Sequence, residues 1–133
     1  MEIKSHKKIA TGLDNLLKKG TETLNGRKIG ILAHPASVTS ELRHILPALI
    51  EAGADVRVLF GPEHGFGGEA QDMETVNAPA TGPYGIPLHS LYGATFDTLA
   101  PSPEKLRGLD TLIVALADVG SRYYTFVWTA VLC

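Results

Sequence analysis

The sequence predicts an α/β fold in which helices cover both faces of a parallel sheet. Three observations carry that prediction. Short, almost uninterrupted apolar runs recur at residues 28–33, 56–60 and 110–117, as strands buried on both faces require. Between them, residues 40–52 place Leu42, Ile45, Leu46, Leu49 and Ile50 at helical spacing. Gly- and Pro-rich punctuation separates the segments. The chain has 133 residues, 44% of them hydrophobic and 20% charged, which fits one globular domain, residues 1–133, with a core of ordinary size.

Composition narrows the function. The net charge is −2 and no basic stripe stands out, so nucleic acid is not the expected partner. No apolar run approaches the roughly 20 residues of a membrane span. The amino end is basic but has no apolar stretch behind it, so no secretory signal is expected and the chain as it stands reads as cytoplasmic. Cys133 is the lone cysteine, which excludes an intrachain disulfide and a Cys/His zinc framework. No metal and no cofactor are expected.

Along the chain, residues 11–17 read as a short amphipathic helix, with Leu13, Leu16 and Leu17 on one face and Gly20 as its stop. Residues 28–33 are a buried strand. Pro35 biases His34 toward extended backbone and makes residues 34–37 a loop. Residues 40–52 form the clearest helix, ended by Gly53. Residues 56–60 are the second strand. Residues 61–86, rich in Gly, Pro and Asn, read as loop with a short helical turn, and so long a connection in a compact domain points to function. Residues 86–91 are a third short strand. Pro101 and Pro103 interrupt a stretch that is helical at both ends. Residues 110–117 are the last strong strand, 118–121 a turn, and 122–132 an apolar helix. Three or four strands make a narrow sheet, and the chain stops within that helix. The expectation is therefore a truncated architecture whose carboxyl-terminal apolar surface promotes self-association.

The chemistry concentrates at residues 61–68, Gly-Pro-Glu-His-Gly-Phe-Gly-Gly. An acid and an imidazole sit in a glycine-rich turn at a strand end, and open α/β sheets bind ligands at the carboxyl ends of their strands. In a parallel sheet, His34 follows the first strand, Glu63 and His64 the second, and Asp118 and Arg122 the last, all at one edge. Each also has a purely structural reading. His34 suits a surface loop. Glu63 and His64 suit a helix cap or a solvated turn. Asp118 suits an N-cap or turn. Arg122, Tyr123 and Tyr124 suit a docking surface without a ligand. The Gly-Phe-Gly-Gly run lacks the Lys-Ser/Thr of a P-loop, and the first strand is not followed by G-x-G-x-x-G, so nucleotide binding is weakly supported. A glutamate in an apolar, glycine-lined cleft suits general acid catalysis. Glycosidases pair such an acid with a second carboxylate. Glu69, Asp72 and Asp118 are the candidates, and the sequence leaves that choice open.

Five stretches resemble one family in its own order: Thr11-Gly12-Leu13-Asp14, residues 26–32, residues 59–68, Ser90-Leu91-Tyr92-Gly93 and residues 118–125. Together they resemble the amino-terminal portion of the NamZ-type exo-β-N-acetylmuramidases, long catalogued as a domain of unknown function. The resemblance implies a Rossmann-like domain that pairs with a carboxyl-terminal domain absent from these residues, with the active site in the cleft between them. It implies release of N-acetylmuramic acid from the non-reducing end of peptidoglycan fragments, so the implied partner is a peptidoglycan-derived sugar or muropeptide. Glu63 then matches the family's catalytic glutamate, His64 orients it or contacts the sugar, and His34, Asp118, Arg122, Tyr123 and Tyr124 are the implied substrate contacts. Two departures stand out. His34-Pro35 replaces Asn-Pro, and Ala115 and Ala117 stand where the family carries polar side chains. A non-catalytic carbohydrate-binding or assembly module is the alternative that these departures suggest.

Overall fold

The computed structural model describes residues 9–68, 81–121 and 123–133. Four parallel strands, β1 (Lys28–Ala33), β2 (Asp55–Gly61), β3 (Leu88–Ser90) and β4 (Thr111–Ala115), form one sheet in the order β3-β2-β1-β4. Alternation along β1 sends Ile29, Ile31 and Ala33 to one core and Leu32 to another, as the period of two demands. The first core packs beneath α2 (Thr21–Leu24) and α3 (Ile45–Glu51), with Leu13, Leu16 and Leu17 closing its rim. The second gathers Val58, Phe60 and Leu91 with Leu106 at the end of α4 (Pro103–Leu106) and with Cys133, just past α5 (Phe126–Leu132). Helices therefore cover both faces, and the fold is α/β as the sequence predicts.

Element boundaries differ from the sequence reading for identifiable reasons. The first helix, α1 (Gly12–Asn15), does not stop at Gly20. It widens into a π turn over Leu16–Gly20 and continues as α2. The left-handed residue that ends the run is Gly26, at φ 69°. Thr11 and Asp14 form a capping box: the Asp14 N–H donates to Thr11 Oγ1 at 3.0 Å, and the Thr11 N–H donates to Asp14 Oδ2 at 2.7 Å. The Thr11 amide foremost, joined by the Ser40 amide, holds the Asp14 carboxyl down at about 2.

The helix expected over residues 40–52 is α3 alone, seven residues long. Leu42 lies outside it, 81% exposed and at φ 61°. Pro47 explains the late start. A proline has no N–H and clashes with the preceding turn, so it fits only the first turn of a helix, and His44 takes the N-cap position three residues earlier. Residues 38–44 instead form a loop closed by a bridge between Val38 and His44. Likewise the last helix starts at Phe126, not at residue 122.

Candidate active site

β1 lies between β2 and β4, so the chain leaves β1 toward β2 and β3 and returns to its other side at β4. Ligands bind at such a reversal, outside the carboxyl ends of the strands. Register sets those ends level: Leu32 faces Phe60 across one ladder, and Ala33 faces Ala115 across the other. A cavity of about 330 Å³ opens there, lined by His34, Pro35, Ala36, Glu63, His64, Gly65, Gly68, Ala117, Val119, Tyr124 and Phe126.

The turn after β2 aims Glu63 into this cavity. Pro62 is buried and its carbonyl accepts from the Gly65 N–H at 2.9 Å, closing a β-turn with Glu63 and His64 at its centre. His64 holds φ 68° and Gly65 φ 84°. A histidine in the left-handed region is strained, and strain of this kind collects at functional sites. At the foot of the turn, a Cβ on Gly61 would lie 2.5 Å from the Phe66 backbone nitrogen. Only glycine lets the chain fold back that closely.

Glu63 is 8% exposed. Thr125 Oγ1 donates to its Oε2 at 2.5 Å. Thr125 is thus the hydrogen-bond partner found for the Glu63 carboxylate among the described residues, and Glu63 lines the cavity.

His34 sits across the cavity, buried, with its ring stacked on Phe126 at 4.8 Å. Its Nδ1 faces the Ala36 N–H at 3.1 Å and its Nε2 faces the Ala117 N–H at 3.1 Å. Burial, reinforced by the charge of nearby His44, pushes the His34 pKa down. Ser37 joins the same junction: its hydroxyl accepts from the His34 N–H at 3.0 Å and donates to the Ala115 carbonyl. His44 completes it. Its Nδ1 accepts from the Leu46 N–H, which leaves Nε2–H to donate to the His34 carbonyl at 3.1 Å.

The cavity therefore brings together Glu63, His64, His34 and Tyr124, with Tyr124 set edge-on to Phe126 at 5.3 Å. Asp118 and Tyr123 are not among its lining residues. The Asp118 carboxylate is exposed and accepts from the Gly120 N–H at 2.9 Å, the turn-forming role open to it from the sequence. Tyr123 is 91% exposed. Arg122, Glu69 and Asp72 lie outside the described residues. Sequence reasoning gave no role to Thr125, His44 or Phe126. Thr125 closes the family-like stretch 118–125, but a threonine ahead of an apolar helix reads as a cap, and a phenylalanine inside one reads as core. A larger groove of about 580 Å³ runs beside β4 and α1 but offers only Thr11 and Ser37 as polar side chains, so the chemistry belongs to the smaller cavity. Among the described residues no group of three His, Cys, Asp or Glu could hold a metal ion, and no helix is long and apolar enough to cross a membrane.

Residues 29–133 match the family model described as exo-beta-N-acetylmuramidase NamZ, N-terminal. The chain is 39% identical over 124 residues to the peptidoglycan beta-N-acetylmuramidase NamZ of Bacillus subtilis (strain 168), a match that covers 92% of this chain and 29% of that protein. Two crystal structures of DUF1343 family proteins from Bacteroides fragilis superpose on it. One has a TM-score of 0.77 at 30% identity, covering 94% of this chain and 30% of the other. The second has a TM-score of 0.67 at 28% identity, covering 92% and 29%. The chain thus spans under a third of the length of the relatives it matches. With a parallel 3-2-1-4 sheet and a buried glutamate at its switch point, the chain belongs to the NamZ exo-β-N-acetylmuramidase family and matches the amino-terminal part of it.

Proposed function

We propose that these residues form the amino-terminal side of a glycosidase active site that releases N-acetylmuramic acid from the non-reducing end of peptidoglycan fragments. Glu63 is the general acid in this reading. The observation that carries it is the state of that side chain: buried, held through one oxygen by Thr125, and set in the lining of a cavity. A carboxylic acid so placed delivers its proton to the glycosidic oxygen as the bond to the anomeric carbon breaks, and water completes the hydrolysis. His64 contacts the sugar or orients Glu63. Tyr124 forms part of the cavity wall. Arg122 is assigned the carboxylate of the lactyl group, which a guanidinium matches with two parallel hydrogen bonds.

Glycosidic hydrolysis needs a second group besides the acid. Glu63 is the single carboxylate among the described residues that line the cavity, so the reading takes that group from elsewhere in the protein. The same observation favours a second reading, a carbohydrate-binding module without turnover. A chromogenic N-acetylmuramide separates the two. The product of the complete gene is expected to release the chromophore, and Glu63→Gln is expected to lower kcat on the order of 10²–10⁴-fold with the fold intact. Saturable binding of the sugar without release would favour the binding module, and a Glu63→Gln variant at the native rate would move the acid to another residue.

A further inference from the structure

We propose that Thr125 is the positioning residue for Glu63, an assignment that rests on the reading of Glu63 as the general acid. Its hydroxyl has one proton, and that proton goes to Glu63 Oε2 at 2.5 Å, across 62 residues of sequence. Thr125 occupies the N-cap position of α5, where a threonine hydroxyl ordinarily accepts from an amide of the first helical turn. Here no such cap bond forms, and the Thr125 backbone is already helical, at φ −82° and ψ −14°. The hydroxyl makes the distant bond and no local cap bond. Departures from local preference concentrate where function constrains a side chain.

The threonine is itself held in place. Its carbonyl accepts from the Thr129 N–H at 3.0 Å and from the Thr129 hydroxyl at 3.2 Å, and Thr129 is 4% exposed. Its neighbour Phe126 stacks on His34. A β-branched side chain has few rotamers available, so the hydroxyl has few directions in which to point. A glutamate has three rotatable bonds, and the bond to Oε2 restricts them. Reacting groups held in one geometry avoid the entropy of finding it. Thr125 thereby holds the Glu63 carboxyl in place, and α5 is the element that aims it.

Kinetics of the complete gene product on the chromogenic N-acetylmuramide test this. Thr125→Val keeps the shape and removes the donor. It is expected to lower kcat on the order of 10²-fold, the cost of a misplaced reacting group, with KM unchanged within about twofold and the thermal midpoint close to native. Thr125→Ser restores the donor and is expected to recover most of kcat. A Val variant with native kcat would overturn the assignment, as would a Ser variant as slow as the Val variant. Failure of the Val variant to fold would assign the bond to stability and overturn it too. Glu63→Gln is run alongside. If that variant turns over at the native rate, the general-acid reading fails. If it is inactive while Thr125→Val is not, only the positioning role fails.

Discussion

Both ring nitrogens of His34 face backbone N–H groups, those of Ala36 and Ala117. A neutral imidazole carries one acceptor nitrogen, and an imidazolium carries none. Protonation would set N–H against N–H at both contacts and would add charge in a buried site. The folded-state pKa is accordingly lowered from its ordinary value near 6.5, by burial first and by the charge of His44 second. The sign follows: the unfolded chain binds the proton more readily, so stability is full above about pH 6.5 and is lost as pH falls through the folded value. His89 shifts in the same direction, through burial and the charge of Lys105, and adds to the same limb. Urea unfolding between pH 7.5 and 5 is expected to show a smaller loss of stability in His34→Asn than in the native chain. Equal slopes would mean that the ring protonates freely. Residue chemistry was partly legible from sequence. Glu63 and His64 announce themselves because an acid and an imidazole rarely sit in a turn this rich in glycine. Thr125 does not, because its contact with Glu63 is long-range while its local context explains it as a cap.

At the level of elements, β1, β2 and β4 were readable because each contains a short, nearly continuous apolar run. The helices were less so. Periodicity placed Leu42 on the face of α3, but Pro47 restricts where that helix begins, and the freed residues 38–44 became the loop that carries His44 to the His34 carbonyl. The turn after β2 was legible as a glycine-rich turn, without a separate duty for each glycine. Gly61 has a more specific duty, because its Cα passes the backbone of Gly65 and Phe66, with a built Cβ 3.1 Å from the Gly65 carbonyl carbon. Backbone atoms cannot swing aside as the end of a long side chain can. Gly61→Ala is therefore expected to destabilise the chain by about 1–3 kcal/mol, the usual range for overpacking, and to shift Glu63 with the turn. Chemical denaturation reads the first effect. A variant as stable as the native chain would show that the turn opens without cost.

For the whole molecule, the 3-2-1-4 order leaves β4 at the edge of the sheet, paired only with β1 among the described residues. Its sequence, Thr111 to Ala115, contains no charge and no proline, the two devices that ordinarily keep an edge strand from pairing with another chain. Val114 is 43% exposed on it. The same molecule shows Trp128 at 63%, Val131 at 69% and Val127 at 45% exposure along α5. Fully burying an apolar side chain of this size contributes roughly 1.5–3 kcal/mol, and several together can offset the entropy lost on association. Dispersed apolar residues would need no explanation, but a run on one short helix is the pattern of an interface or of an aggregation site. Light scattering on the 133-residue chain at micromolar concentration is expected to give a mass above the 14.2 kDa monomer. The double variant Val114→Lys, Trp128→Glu places one charge on the strand edge and one on the helix, and is expected to move the population toward monomer. Contributions from the two surfaces can then be separated with the single variants. A native chain that stays monomeric and unfolds cooperatively at that concentration would show that neither surface drives association, and that the exposed side chains are tolerated in water as they stand.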